Sequence, residues 1–398
     1  MLNADLAVAS ERFVNWMVKD ALPLWLDKGM KAGAGHYERL QASGRPDTAA
    51  PVRARVQARQ AYAFAVAHGS GWANGAADAA LNLYRFYESK ARHPREEVGY
   101  IHLLNADFEP LNIKQDLYDH AFFLLALSAL YRITDEPMYL IRANSIMAWL
   151  DRKFGSYVGG WLEGDYRASC RRQNPHMHLF EAFMSLYECS DDERWLARAG
   201  EVFSLFQGRF YDAKFNVVRE FFNDDWAPLE SDRGRIIEPG HMMEWVWLLR
   251  WYERLSKRSV SEWADALYIK ANAIGFNKNG LMYDELDISG EAKIKTKRSW
   301  PMTEVIKANI AQARAGVEGA EERAAAAINI LFSYYLDVPI AGSWIDQRGK
   351  NDEVLVNIAP ASTFYHIIVA CKEVADYCSS RYRQNLSENS FSRLMRVE

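Results

Sequence analysis

Four cysteines in 398 residues (Cys170, Cys189, Cys371 and Cys378) are too few and too scattered for a disulfide framework or a zinc site. Neither sign of charge dominates. The 48 Lys and Arg against 52 Asp and Glu leave a net charge of −4, which excludes the basic footprint of a nucleic-acid-binding protein and any strong acidic field. No apolar run approaches membrane-spanning length. The opening Met1-Leu-Asn-Ala-Asp-Leu6 lacks the basic start and apolar core of a signal peptide, so a cytoplasmic location is expected, with no membrane or nucleic-acid partner. What is present is a soluble globular balance, 49% hydrophobic and 25% charged, in a chain long enough for one large domain or two to three ordinary ones. Aromatic residues reach 13%, enough for walls of a sugar site as well as a core.

Along the chain, helices of two kinds alternate. One kind is apolar nearly all round and opens on polar residues: Leu117–Leu130, His176–Leu186, the stretch after Gly240, Trp300–Asn309 and Ser362–Cys371. The other carries a charged face: Ala77–Arg92, Pro137–Phe154, Asp192–Phe210, Ser259–Ile274 and Ala320–Leu336. A helix apolar all round is buried, and one with a charged face lies outside. Polar markers at the starts of the inner helices, Arg59, Asp119, His178, His241, Glu304 and His366, recur at spacings of 60, 59, 63, 63 and 62. One buried and one amphipathic helix per repeat, six times, predicts a closed, all-α (α/α)6 barrel of six helical hairpins. An open solenoid would need polar capping repeats, and the last inner helix is as apolar as the middle ones. A single domain over residues 1–398 is expected, with 1–50 an N-terminal helix and loop and 379–398 a polar, fraying tail.

Parallel inner helices bring their N-terminal ends to one mouth, where Arg59, Asp119, His178, His241, Glu244, Glu304 and His366 converge. Six helix N-termini also make that mouth electropositive, which favours an anionic transition state and neutral histidines. His241 and Glu244, three apart, share a helix face, where a carboxylate beside an imidazole can tune it as an acid or base. His176 and His178 point roughly opposite ways, so only one can face the cavity. His120 stands at an equivalent helix start and reads equally well as structural or cavity-lining. Arg167, Arg171 and Arg172 precede the third inner helix; they read either as solvated loop charges or as cations for a phosphate or sulfonate.

Val56-Gln-Ala-Arg-Gln60, Gln173-Asn-Pro-His-Met-His-Leu-Phe-Glu-Ala182, Glu238-Pro-Gly-His-Met-Met-Glu244, Trp300-Pro-Met-Thr-Glu304 and Pro360-Ala-Ser-Thr-Phe-Tyr-His366 together resemble the N-acylglucosamine 2-epimerase superfamily, from about Arg53 to Cys371. The resemblance implies an (α/α)6 barrel and proton transfer at C2 of an open-chain aldose, with no metal and no cofactor. It implies that His241 and His366 handle protons, that Glu244 pairs with His241, and that Arg59 holds a substrate oxygen. It further implies that Asn174 and His178 orient the sugar, that Arg235 (or its neighbour Arg233) contacts it, that Trp300 walls it and that Glu304 supports the site. Asp119, at the second helix start, joins the expected substrate-binding set.

These parts serve two reactions. One histidine moving a proton between C2 and C1 isomerises an aldose to a ketose, D-mannose/D-fructose in type. Two histidines on opposite faces of C2 epimerise N-acylglucosamine or a glucose unit. A glycoside hydrolase would need two flanking carboxylates, where this mouth is dominated by histidine, and a helical-repeat binding protein would keep its binding largely intact on His366→Asn, a change that should abolish turnover in an enzyme. The expected partner is a small monosaccharide, with the protein a monomer or homodimer.

Overall fold

The computed structural model describes residues 2–31 and 34–394, the last ten of these in their backbone only. Among the described residues thirteen α-helices run in chain order: α1 (Ala4–Trp16), α2 (Leu22–Asp27), α3 (Ala54–Gly69), α4 (Ala76–Lys90), α5 (Leu117–Thr134), α6 (Met138–Phe154), α7 (Asn174–Ser190), α8 (Glu193–Leu205), α9 (Pro239–Ser256), α10 (Ser261–Ile274), α11 (Trp300–Arg314), α12 (Ala320–Leu331) and α13 (Ala361–Leu394). The odd helices from α3 onward form the inner ring. Each packs on the next, and α13 packs back on α3, so the ring closes.

Sequence pattern explains the two layers. Every residue of α7 from Pro175 to Leu186, of α9 from Pro239 to Tyr252 and of α11 from Pro301 to Gln312 is buried. These helices have protein on all sides, as an inner layer must. In α8 burial falls on Trp195, Ala199, Val202 and Phe203, one stripe facing inward. At roughly 1.5–3 kcal/mol for each large apolar side chain buried, such a stripe holds an outer helix to the ring.

The sixth outer helix comes from the other end of the chain. α1 packs between α12 and α13 and continues through a π turn, Met17–Ala21, into α2. Pro23 stands in the first turn of α2 and brings no N–H to the helix; the turn just before it is the wide one. The N-terminal helix is thus part of the barrel wall. At the other end α13 runs on through Leu394. Residues 395–398 of the expected tail lie outside the described residues.

Short antiparallel pairings lace the mouth. The residues just before α3, α7, α9, α11 and α13 are each extended (Val52–Arg53, Arg171–Arg172, Ile236–Ile237, Lys297–Arg298 and Ile358–Pro360), and each pairs with a strand from another loop. The start of each of these inner helices is therefore fixed to a neighbouring loop. At the opposite end, α5, α7 and α9 stop on Asp135, Asp191 and Lys257, all left-handed, with φ of 59°, 53° and 58°. Such residues cap a helix by turning the chain out of it.

Candidate active site

The inner-helix N-termini open on one cavity of about 860 Å³, within the range of small-molecule sites. Of the expected residues, Arg59, Asn174, His178, His241, Glu244, Trp300 and His366 line it. Asp119 and Glu304 are fully buried and do not line it; they bond to Arg55, His102 and His366, which do. Arg235 is not brought in. It turns outward onto Asp287, with bonds of 2.9 and 2.7 Å, and Arg233 lines the cavity instead.

The two histidines expected to handle protons flank one indole. The Trp300 ring centroid lies 5.2 Å from that of His241 and 5.5 Å from that of His366. Gly240 allows this: a Cβ there would meet the Trp300 ring at 2.7 Å and Pro301 Cβ at 3.0 Å.

Their surroundings differ. His366 Nδ1–H donates to Glu304 Oε1 at 2.8 Å, which leaves Nε2 as a free base. Burial lowers the His366 pKa to about 4 despite that bond, so the ring is neutral. Glu304 is in turn 2.6 Å from the Lys307 ammonium, which sits over the Trp247 ring with no exposure at all. His241 Nδ1–H donates to Glu220 Oε2 at 3.0 Å, and Glu238 is 3.5 Å away. Gln173 Nε2 donates to the same Glu220 oxygen at 2.9 Å. Burial disfavours the His241 charge, but these carboxylates outweigh it and hold the pKa well above the ordinary value. His241 is therefore an imidazolium, against the expectation that the helix N-termini lower the pKa of nearby histidines. His178 does follow that expectation: burial and then Arg59 push its pKa well down.

Glu244 is not the partner of His241. Both of its oxygens are buried without a hydrogen bond. Its carboxyl gathers with the Glu181 carboxyl and the His178 imidazole on one side and with the Glu304 carboxyl and the His366 imidazole on the other. Burial and the Glu304 charge raise its pKa well above the usual range, so it is a neutral acid. His178 Nδ1 lies 3.1 Å from Glu181, whose other oxygen accepts from Tyr365.

Arg59 has a ring-stacked guanidinium, its carbon 3.9 Å over Phe122. It donates to Tyr118 Oη at 2.6 Å and to the Ser362 carbonyl at 3.0 Å. It makes no ion pair among the described residues, and its charge is free for a substrate oxygen. Asn174 Nδ2 is 3.3 Å from His241 Nε2. Asp119 serves as an anchor, 2.6 Å from both Arg55 and His102.

His176 and His120 are structural. His176 accepts from the Trp161 N–H at 3.1 Å, and His120 accepts from the Tyr100 N–H at 3.0 Å. Arg171 points away from the cavity, its guanidinium carbon 3.8 Å over Trp226. His178, His241 and His366 do not form one ligand set; each is grouped with carboxylates. In the group of Glu244, Glu304 and His366, Lys307 already supplies a positive charge.

Sequence reasoning missed Glu220, Glu181 and Lys307. The last two carried a signal, each being a charged residue inside an unbroken buried stretch and three positions after a marker. Glu220 carried none, since it lies in the irregular segment between α8 and α9.

Fold and site together define the class: an (α/α)6 barrel whose helix-start mouth holds paired, oppositely protonated histidines. The chain belongs to the N-acylglucosamine 2-epimerase (GlcNAc 2-epimerase) family, whose profile matches residues 35–370. A mannose-6-phosphate isomerase of Rhizobium meliloti (strain 1021) is 35% identical over 94% of this chain and 99% of its own. A D-mannose isomerase of Thermobifida fusca is 25% identical over 83% and 88%. The solved cellobiose 2-epimerase of Spirochaeta thermophila DSM 6192 shares the fold, with a TM-score of 0.83 and 20% identity over 95% of this chain and 98% of that one.

Proposed function

We propose that the protein interconverts an aldose with its ketose, D-mannose/D-fructose in type, by proton transfer through an enediolate. The observation that carries this reading is the opposed protonation of His366 and His241 on either side of Trp300. Neutral His366 takes the C2 proton through Nε2 and, after exchange with water on the ring, delivers a proton to C1. The His241 imidazolium gives a proton to O1 as charge develops there and recovers one from O2, which leaves the C2 carbonyl of the ketose. Arg59 stabilises the enediolate oxygens from a buried, preorganised position. Proton donation and abstraction by placed groups of this kind contribute about 10²–10⁴-fold each. The names of the isomerase relatives support the same reading.

A 2-epimerase is the second reading. It is favoured by the placement of one neutral and one protonated imidazole about one indole, since one can remove and the other deliver a proton at C2. Incubation in deuterated water separates the two. Fructose from mannose, with deuterium carried at C1, is expected. Conversion of N-acetylmannosamine to N-acetylglucosamine with no fructose from mannose would reverse the choice.

A further inference from the structure

Cations outnumber carboxylates along the cavity, and the excess is local. Arg53 is matched by Glu38, Arg55 by Asp119 and Arg172 by Glu163. Three others, Lys114, Arg167 and Arg233, line the same cavity and make no ion pair among the described residues. Arg298 also lacks one, but its charge acts on the carboxyls of Glu285 and Asp346 nearby. Apart from Arg59, which stands beside the histidines on the inner helices, the uncompensated charge therefore lies on the side of Lys114, Arg167 and Arg233.

Two of these cations are held in place rather than left to wander. The Arg233 guanidinium lies 4.3 Å over the Phe221 ring and donates to Ser169 Oγ at 3.2 Å. The Lys114 ammonium lies 4.6 Å over the Tyr166 ring, and Tyr166 is anchored by a 2.5 Å bond to Asp116. Arg167 is on the short segment, residues 166–169, that joins these two supports. Stacked cations lose less freedom on binding an anion than free side chains do. The histidines at the starts of inner helices are buried, while Lys114, Arg167 and Arg233 lie on loops, the two arginines exposed, which puts those histidines on the inner side of the cavity and these cations on the outer. A sugar with C1 and C2 beside the histidines presents its far end to these cations.

We propose that Lys114, Arg167 and Arg233 form a subsite for a phosphate monoester on the terminal carbon of the sugar, so that the substrate is a hexose 6-phosphate. This rests on the aldose–ketose reading above. A phosphate monoester carries nearly two negative charges at neutral pH and three acceptor oxygens, which suits two guanidinium forks and an ammonium.

The test compares D-mannose with D-mannose 6-phosphate in the wild-type protein, in the double variant Arg167→Gln/Arg233→Gln and in Arg235→Gln. Wild type is expected to favour the phosphorylated sugar in kcat/KM. The ratio of the two kcat/KM values is expected to fall about 100-fold in the double variant, about tenfold per charge-assisted contact, and mainly through KM. In Arg235→Gln, whose guanidinium faces Asp287, the ratio should hold. Equal use of the two sugars by wild type, or a ratio that survives the double substitution, would overturn the proposal. Should neither sugar be isomerised, the isomerase reading falls by itself. Calorimetric titration with mannose 6-phosphate then still reads the subsite: affinity lost in the double variant supports it, and affinity unchanged refutes it.

Discussion

Replacing Glu220 with Gln tests which carboxylate controls His241. Glu220 Oε2 is 3.0 Å from His241 Nδ1, and both side chains are almost wholly buried. At an effective dielectric of about 20, opposite charges at this distance attract by roughly 5 kcal/mol. Breaking a buried pair by removing one partner costs about 3–5 kcal/mol. The amide oxygen of Gln still accepts from Nδ1–H, and Glu238 remains 3.5 Å away, so a loss of about 2–3 kcal/mol is expected. The raised pKa of native His241 sets the sign of the pH dependence. The stability from this pair is fully present below the unfolded histidine pKa of about 6.5, and it disappears as pH rises through the higher folded value. Urea unfolding should therefore show the largest difference between Glu220→Gln and wild type near pH 6 and a smaller one in alkali. In the pH profile of kcat/KM the alkaline limb, which reports loss of the His241 proton, should move to lower pH. A limb unmoved in Glu220→Gln but shifted in Glu244→Gln would show that Glu244 is the true partner.

The acid limb of the same profile belongs to His366, whose pKa of about 4 places the loss of activity below pH 5; His366→Asn should lower kcat by about 10²–10⁴-fold while leaving the thermal melt close to that of wild type. Lys307→Met strands the fully buried Glu304 charge, and urea unfolding should register a loss of about 3–5 kcal/mol. Gly240→Ala drives a methyl against the Trp300 ring; overpacking of this kind costs about 1–3 kcal/mol, and displacement of the cavity wall should raise KM for the sugar in steady-state assays.

Much of the fold was legible because its cause is local. Inner helices must be apolar on all sides, so Pro239–Tyr252 and Pro301–Gln312 announce themselves, and a polar marker at each start fixes the period. Closure of the outer layer was not legible. It joins α1 to α12 and α13, more than 300 residues away, and an amphipathic helix at a chain end reads as an addition until its partner is known. Within the site the marker residues were readable as polar groups in apolar helices. Rotation within one short turn was not: Arg233 and Arg235 share the 3-10 turn Asp232–Arg235, and only tertiary packing turns one to the cavity and the other to Asp287. His241 and Glu244 share a helix face, as their spacing requires, yet a loop carboxylate reached the imidazole first.

The protonation of the two histidines shows why the nearest partner alone does not decide it. His366 is 2.8 Å from its carboxylate and His241 is 3.0 Å from its own, so proximity would make His366 the more basic. The third group reverses this. Glu304 shares its charge with Lys307, and Arg59 adds a further positive charge, so little remains to offset the burial of His366. Among the described residues Glu220 pairs with no cation but His241 and otherwise accepts from neutral Gln173, while Glu238, its pKa pushed up to about 8 by burial, adds less to the same imidazole near neutral pH. Six helix N-termini bias both rings alike toward neutrality, and full charges at about 3 Å exceed that common bias. The asymmetry of base and acid is thus written in Lys307, which divides the charge of Glu304, and in Glu220, which among the described residues pairs with no second cation; neither need touch the substrate.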